Sequence, residues 1–358
     1  MTARGRGAAA LGIVVIGRNE GDRLRRCLDS VAGRGRASVY VDSGSSDASV
    51  ALARSRGIDV VELDPASPFT AARARNAGFA RLLELAPDLE FVQFIDGDCM
   101  LDPGWLDAAL AAICSDVGVA VVCGRRRELY RERTIYNRLC DMEWNTVPGS
   151  TESCGGDSLM RVEALRRAGG FDATLICGEE PDLCRRLRRA SFSVRRIEAE
   201  MTLHDADIRR FRQWWRRAVR AGHAFAEAWQ REGLAEGTVH PRRTLSALGW
   251  GVLLPLVLIA LALASWTEPV ATRLALVLAF GVASYSLPFA RTVVFRLRRG
   301  ESRRDAALYA VFCMVAKLPE SFGALRFATL HGIGRRGRLI EYKHAALPAA
   351  GPSPQERT

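Results

Sequence analysis

The chain has 358 residues, of which 48% are apolar and 25% charged, a balance that excludes a disordered protein and allows one large domain with appendages or two domains. Its formal net charge is +11, carried by arginine, since lysine occurs only at 317 and 343; this admits nucleic acid, an anionic membrane surface or a phosphorylated substrate, but the interleaved basic and aromatic platform of a nucleic-acid reader is missing. The nine cysteines show no Cys-x-x-Cys pair and no zinc spacing, which argues against a zinc module or a disulfide scaffold and for reduced thiols in a cytosolic compartment.

Residues 11–16 form a nearly continuous apolar run, as a strand covered on both faces would. The run is too short for a signal-peptide core and is followed by Gly-Arg-Asn-Glu, not a cleavage site. Leu24, Cys27, Leu28 and Val31 then recur at helical spacing, predicting an amphipathic helix over 20–31 that Gly33 and Gly35 end. A second strand over 38–41 stops at Asp42-Ser43-Gly44-Ser45-Ser46-Asp47, with Asp47 as N-cap of a helix over 48–56 closed by Gly57. A third strand over 58–63 and a helix over 71–85 lead to Phe91-Val92-Gln93-Phe94-Ile95-Asp96-Gly97-Asp98. There an apolar strand ends in two carboxylates around one glycine. Acids at the carboxyl end of a strand lie where open α/β sheets bind ligands. Gly97 lets the backbone bend, and two hard oxygen donors so close in sequence suit a divalent cation that keeps positions open for phosphate oxygens. Pro103 opens a helix through Ile113, and 117–122 is the next strand. This alternation predicts an α/β fold with a doubly wound, mainly parallel sheet.

Residues 125–147 are polar and give no clear period. Gly155-Gly156-Asp157 is a tight turn before the apolar Ser158-Leu159-Met160, and a short helix over 163–168 is stopped by Gly169-Gly170. Gly178-Glu179-Glu180-Pro181-Asp182 opens a helix through 190, with Pro181 at the first helical position and Glu180 as its cap. A strand over 192–197 precedes His204. These elements make up a domain over 11–205.

Beyond Arg209 the character changes. Arginines mixed with Phe211, Trp214 and Trp215 predict a helix at the headgroup level of a membrane within 206–243. Residues 245–266 carry no charge and are long enough to span a bilayer, although Pro255 should kink the helix; 274–290 is a second charge-free run. Together they predict a transmembrane hairpin over 244–294. The intervening loop has almost no basic residues, while 291–304 holds six arginines, so the charge rule places the N-terminal domain on the cytoplasmic side of the inner membrane. A third apolar stretch, 306–330, is broken by Lys317-Leu318-Pro319-Glu320 and carries Arg326, which favours an interfacial or re-entrant element within 295–345. The arginines beside these spans make anionic lipid a nearer partner than nucleic acid. Residues 1–10 and 346–358 are expected to be disordered.

Six motifs in order carry a resemblance: Val15-Ile16-Gly17-Arg18-Asn19-Glu20, Val41 to Asp47, Ala74-Arg75-Asn76-Ala77-Gly78, Asp96-Gly97-Asp98, Gly155-Gly156-Asp157 and Gly178-Glu179-Glu180-Pro181-Asp182-Leu183. In this series the chain resembles the family 2 glycosyltransferases, inverting nucleotide-sugar enzymes of the GT-A fold. The resemblance implies nucleotide-sugar contacts from Ile16, Arg18, Glu20, Asp42, Ser45, Arg75, Asp96 and Asp157, with Asp42 accepting from a ring N–H of the base. It implies Mg²⁺ or Mn²⁺ held by Asp98, with Asp96 near the ribose or the metal and His204 where some relatives supply a further ligand. A cation there would offset charge growing on the departing diphosphate. Inversion in one displacement needs a base for the acceptor hydroxyl. Relatives use the final acid of a Glu-Asp pair; here the pair is Glu179-Glu180, which leaves Glu180, Glu179 and Asp182 as candidates. Gln213-Trp214-Trp215-Arg216-Arg217 is similar to the Gln-x-x-Arg-Trp signature of processive synthases, except that Arg217 replaces the final Trp.

The expected function is metal-dependent, inverting transfer from a nucleoside-diphosphate sugar to a lipid-linked or glycan acceptor at the cytoplasmic membrane face. Two alternatives stand beside it. One is transfer to polyprenyl phosphate or processive chain growth. The other is a non-catalytic nucleotide-sugar-binding membrane module.

Overall fold

The computed structural model describes residues 10–233 and 240–334. The disorder expected for 1–10 and 346–358 lies outside the described residues, except at Ala10. The chain divides into two compact units, one ending at Ala206 and the other beginning at Asp207.

The first unit is built on strands β1 (Leu11–Gly17), β2 (Ala37–Asp42), β3 (Asp59–Glu62), β4 (Phe91–Asp96), β5 (Cys99–Leu101), β6 (Val119–Glu128), β7 (Gly149–Ser150), β8 (Ser158–Arg161) and β9 (Ser193–His204). Its helices are α1 (Asp22–Val31), α2 (Ser49–Ser55), α3 (Ala71–Leu85), α4 (Trp105–Cys114), α5 (Ile135–Trp144), α6 (Val162–Arg167) and α7 (Glu179–Arg189). The strands form one mixed sheet in the order β3-β2-β1-β4-β8-β6-β9-β5, with β7 beside β9. Strands β1 to β4 pair in parallel, as their alternation with helices predicts. Beyond β4 the sheet is mixed, because β8 enters antiparallel between β4 and β6. The near-continuous burial of β1, β2 and β4 follows from their unbroken apolar sequences.

The chain leaves β1 towards β2 and β3, then returns to β1's other side as β4, so a topological switch lies between β1 and β4. Register sets the chemistry there. Gly17 pairs with Asp42 and Ile16 with Asp96, which aligns two carboxylates at the ends of the strands flanking β1.

Four sequence expectations need correction. α7 starts at Glu179 with Gly178 as its N-cap, at φ 85°, so Glu180 lies inside the first turn and Pro181 is the third residue. The left-handed conformation at Gly178 is open to glycine at little cost, which moves the start upstream of the proline. Asp47 does not cap α2, which starts at Ser49 after Ala48; its Oδ1 accepts from Ser49 N at 3.0 Å, and its Oδ2 from Gly21 N at 3.1 Å across the loop. The sixth strand runs on through Glu128, into the polar stretch that gave no period. The same stretch holds α5, which is capped by Thr134 accepting from Asn137 N at 3.1 Å.

The second unit contains α8 (Phe211–Glu232), α9 (His240–Leu248), a π-helical turn (Gly249–Leu253), α10 (Leu254–Ala264), α11 (Val270–Arg298), α12 (Arg303–Val315) and α13 (Lys317–Gly332). The disturbance expected from Pro255 takes the form of that π turn one residue ahead of α10, where a missing N–H is most easily absorbed. α8 and α13 pack at glycine: a methyl group on Gly222 would strike the Glu320 carbonyl, and one on Gly323 would strike the Val219 carbonyl. His240–Ala264, Val270–Arg298 and Arg303–Gly332 are each long and apolar enough to cross a membrane. The third is the stretch that sequence alone favoured as interfacial or re-entrant; its helix is interrupted only at Ala316.

In the first unit, α3 lies on β1 and β2 through Gly78, where a Cβ would collide with Val14 and come within 2.8 Å of Val41 Cγ2. Gly78→Val therefore overpacks this contact. It should lower the unfolding free energy of the first unit by at least about 2 kcal/mol, read from urea titration of near-ultraviolet circular dichroism.

Candidate active site

The strand ends at the switch point carry the first group of side chains. Asp42 is buried at the end of β2 and accepts from Ser45 N at 2.7 Å, from the Ser45 hydroxyl at 2.6 Å and from the Tyr40 hydroxyl at 2.9 Å. The Ser45 hydroxyl in turn accepts from Asn19 N at 2.9 Å, and Asn19 Oδ1 accepts from Ser46 N at 2.7 Å. These bonds fix the two loops after β1 and β2 against each other. Arg18 lies over the Phe69 ring at 5.5 Å, with Arg73 on the same ring at 6.0 Å. Glu20 pairs with Arg23 at 2.9 Å, and the Ile16 carbonyl accepts from Gly97 N at 2.7 Å.

A second group gathers around two guanidinium groups, that of Arg75 buried and that of Arg126 partly buried. Arg75, on α3, places Nη2 2.9 Å from Asp96 Oδ1 and Nη1 2.7 Å from Glu179 Oε1 and 3.4 Å from Glu180 Oε1. Its plane lies over Phe171 at 5.6 Å. Asn76 pins that residue, donating to the Phe171 carbonyl at 2.7 Å and accepting from its N–H at 2.9 Å. Arg126, on β6, places Nη2 2.8 Å from Asp157 Oδ2 and 3.5 Å from Asp96 Oδ2. Asp157 is fully buried; it also accepts from Asp96 N at 2.9 Å and from the Thr202 hydroxyl at 2.7 Å. The turn before Asp157 must hug this cluster. A Cβ on Gly156 would collide with Asp96 and stand 2.9 Å from Arg75 Nη2.

The third group is a carboxylate beside an imidazole. Antiparallel pairing sets Cys99 of β5 against His204 of β9, which brings Asp98 Oδ2 to 3.1 Å from His204 Nε2. Both side chains are buried, at 6% and 5% exposure. Burial, and next the positive field of Arg126, push His204 down to about 4, so its imidazole is neutral at physiological pH. Trp144 lies against the ring at a 42° tilt, with centroids 4.6 Å apart. A carboxylate and a neutral imidazole are ligands that Mg²⁺ or Mn²⁺ accepts, and the thiol of Cys99 lies in the same set. The residues fit a divalent ion.

At the first turn of α7, burial and then the neighbouring Glu179 carboxylate push Glu180 up to about 7, against the opposing pull of Arg75. A carboxyl poised there exchanges a proton near neutral pH. Its side chain keeps 17% of its surface open, whereas Glu179 keeps 5%. Asp182 is placed otherwise. Its two oxygens take Arg185 at 2.7 Å and Arg186 at 2.8 Å on its own helix, outside the Arg75 cluster.

Residues 12–167 match the model of the family described as Glycosyl transferase family 2. This segment is a family 2 glycosyltransferase domain. A pre-mycofactocin glycosyltransferase, found in two strains of Mycobacterium tuberculosis, is 32% identical over 207 residues. That alignment covers 54% of this chain and 42% of the relative, so the chain spans less than half of the relative's length. Among solved structures, a mannosyltransferase from Pyrobaculum calidifontis in complex with GDP-Man and Mn²⁺ matches with a TM-score of 0.55 at 20% identity, over 87% of this chain and 86% of that one. The sheet is therefore of GT-A type.

The structure brings Arg75, Asp96 and Asp157 of this segment into one connected network with Glu179 and Glu180, which lie beyond it; Asp98 and His204 are at the network's edge and Asp42 and Ser45 across the end of β1. Sequence reasoning missed Arg126, Thr202, Trp144 and Cys99. Arg126 and Trp144 fall in the stretch without a period, Thr202 is brought to the acids only by sheet pairing, and Cys99 directly follows Asp98 but belongs to no metal-ligand spacing.

The raised Glu180 has a consequence for stability. A carboxyl whose folded value exceeds its unfolded one stabilises the fold at pH below the unfolded value, and that contribution is lost as pH rises through the folded value. The window here runs from 4.5 to about 7. Relative to wild type, Glu180→Gln should therefore gain thermal stability progressively across this window and hold the gain at pH 8, as read from melting temperatures in matched buffers.

Proposed function

We propose that this protein is an inverting, metal-dependent glycosyltransferase that moves a sugar from a nucleoside-diphosphate donor to a lipid-linked or glycan acceptor at the cytoplasmic face of the inner membrane. The observation that carries the reading is the Arg75 cluster. One buried guanidinium links an acid at the end of β4 to the two acids opening α7, so the donor-side and acceptor-side groups of a single displacement share one network. The GT-A neighbour's complex with GDP-Man and Mn²⁺ supports a nucleotide-sugar donor and a divalent ion.

The residues divide as follows. Asp42, held by Ser45 and Tyr40, offers carboxylate oxygens to a base N–H, with Ile16, Arg18 and Glu20 at the same strand end. Asp98 and His204 would hold Mg²⁺ or Mn²⁺, which when bound offsets the charge growing on the diphosphate. Asp96, held by Arg75, faces the donor as a hydrogen-bond acceptor, and the fully buried Asp157 supports it from behind by accepting from Asp96 N. Glu180 takes the acceptor hydroxyl's proton: it is more open than Glu179, and Arg185 and Arg186 claim Asp182. The membrane assignment rests on three helices long and apolar enough to span. The cytoplasmic side follows from the arginines of 291–304, and the lipid-linked acceptor from a site carried at the bilayer.

Purified full chain, incubated with a panel of sugar nucleotides and Mn²⁺ or Mg²⁺, should release nucleoside diphosphate and form a glycoside of inverted anomeric configuration by NMR. Retention, or no donor consumption with any sugar nucleotide, would reject the reading. Asp98→Ala should lower turnover by at least about a hundredfold without unfolding the protein. Glu180→Gln should keep nucleotide affinity and lose about 10²–10⁴ in transfer rate, and the wild-type rate should rise with pH to a plateau above about 7.

A further inference from the structure

Two sets of potential metal ligands share one thiol. Asp98, Cys99 and His204 form one; Asp96, Cys99 and Asp157 form the other, the ligand atoms of each lying within 4.8 Å of one another. By charge alone the second set should win a divalent cation, since it offers two carboxylates where the first offers one.

A fixed cation stands on the second set. Arg126 Nη2 is 2.8 Å from Asp157 Oδ2 and 3.5 Å from Asp96 Oδ2, and Arg75 Nη2 takes the other Asp96 oxygen at 2.9 Å. The remaining Asp157 oxygen accepts from Asp96 N, and the oxygen facing Arg126 also accepts from Thr202. Arginine keeps its charge at any working pH. β6 holds this one in place by pairing Arg126 with Thr202 of β9, and its plane lies 5.7 Å from the Trp144 ring. A divalent ion between Asp96 and Asp157 would have to sit beside that charge.

We propose that Arg126 is an internal counter-cation that closes the Asp96–Asp157 pair to metal and so directs the divalent ion to Asp98 and His204. It is a positioning residue: it fixes the buried Asp157 behind Asp96, and it keeps the centre to one ion. This inference rests on the reading of Asp98 and His204 as the ion's ligands.

The test uses Mn²⁺ alone, titrated into the full chain in nonionic detergent and followed by the electron paramagnetic resonance signal of free Mn²⁺. Wild type should bind one Mn²⁺ per chain. Asp98→Asn should weaken binding at least tenfold, whereas Asp157→Asn should leave affinity within twofold. Arg126→Met should take up a second Mn²⁺, and Arg126→Lys should stay at one. Two ions in wild type, a single ion in a folded Arg126→Met, or an equal loss of affinity in Asp157→Asn and Asp98→Asn would overturn the role of Arg126. If Arg126→Met does not fold, Arg126→Gln carries the same expectation of a second ion, and a single ion in it would overturn the role of Arg126. Undiminished Mn²⁺ affinity in Asp98→Asn would instead remove the ion site on which the inference stands.

Discussion

The buried ion pairs of Arg75 hold together parts of the chain that nothing else forces into register. Asp96 ends a core strand, whereas Glu179 and Glu180 open a helix more than eighty residues later, and unopposed these three carboxylates would repel in a poorly solvated space. Removing one partner of a buried pair typically costs about 3–5 kcal/mol, because the survivors are left charged and without water. The guanidinium thus fixes the acid pair at the sheet's switch point and sets the proton affinity of Glu180 against the push of its neighbour. Its own support is local: the next residue, Asn76, clamps the backbone of Phe171, whose ring lies under the guanidinium plane.

Most of the parallel half of the sheet was legible because β1, β2 and β4 are largely buried and read as apolar runs, each closed by a turn rich in Gly, Ser or Asp. The Asp-Gly-Asp end of β4 stood out for the same reason: hard polar groups directly follow a hydrophobic strand. Legibility stopped where strands are polar. β6 continues as Arg125-Arg126-Arg127-Glu128, whose arginines face acids and whose glutamate accepts from Asn137 and backbone N–H groups, so its periodicity carries no apolar signal. The start of α7 was misplaced because a proline is a strong helix-start signal, and it outweighed the glycine three residues earlier whose backbone conformation makes the cap.

Pairings between distant segments decide the rest of the site. His204 reaches Asp98 only because β5 and β9 run antiparallel in one register, and Thr202 reaches Asp157 through the neighbouring pairing of β9 with β6. No local pattern encodes such meetings; the long-range register does. The family series in the sequence located the acids and Arg75, while the acids that Arg75 holds together, and the second cation, Arg126, came only from the fold.

The glycine crossing of α8 and α13 gives the second unit a property independent of its surroundings. Where a backbone carbonyl fills the space of a missing side chain, cohesion comes from dispersion and close dipoles rather than from the expulsion of water. That adhesion keeps its strength in hydrocarbon, where greasy side chains find lipid as congenial as each other. The two helices are thus able to stay joined across the change of medium between detergent and bilayer.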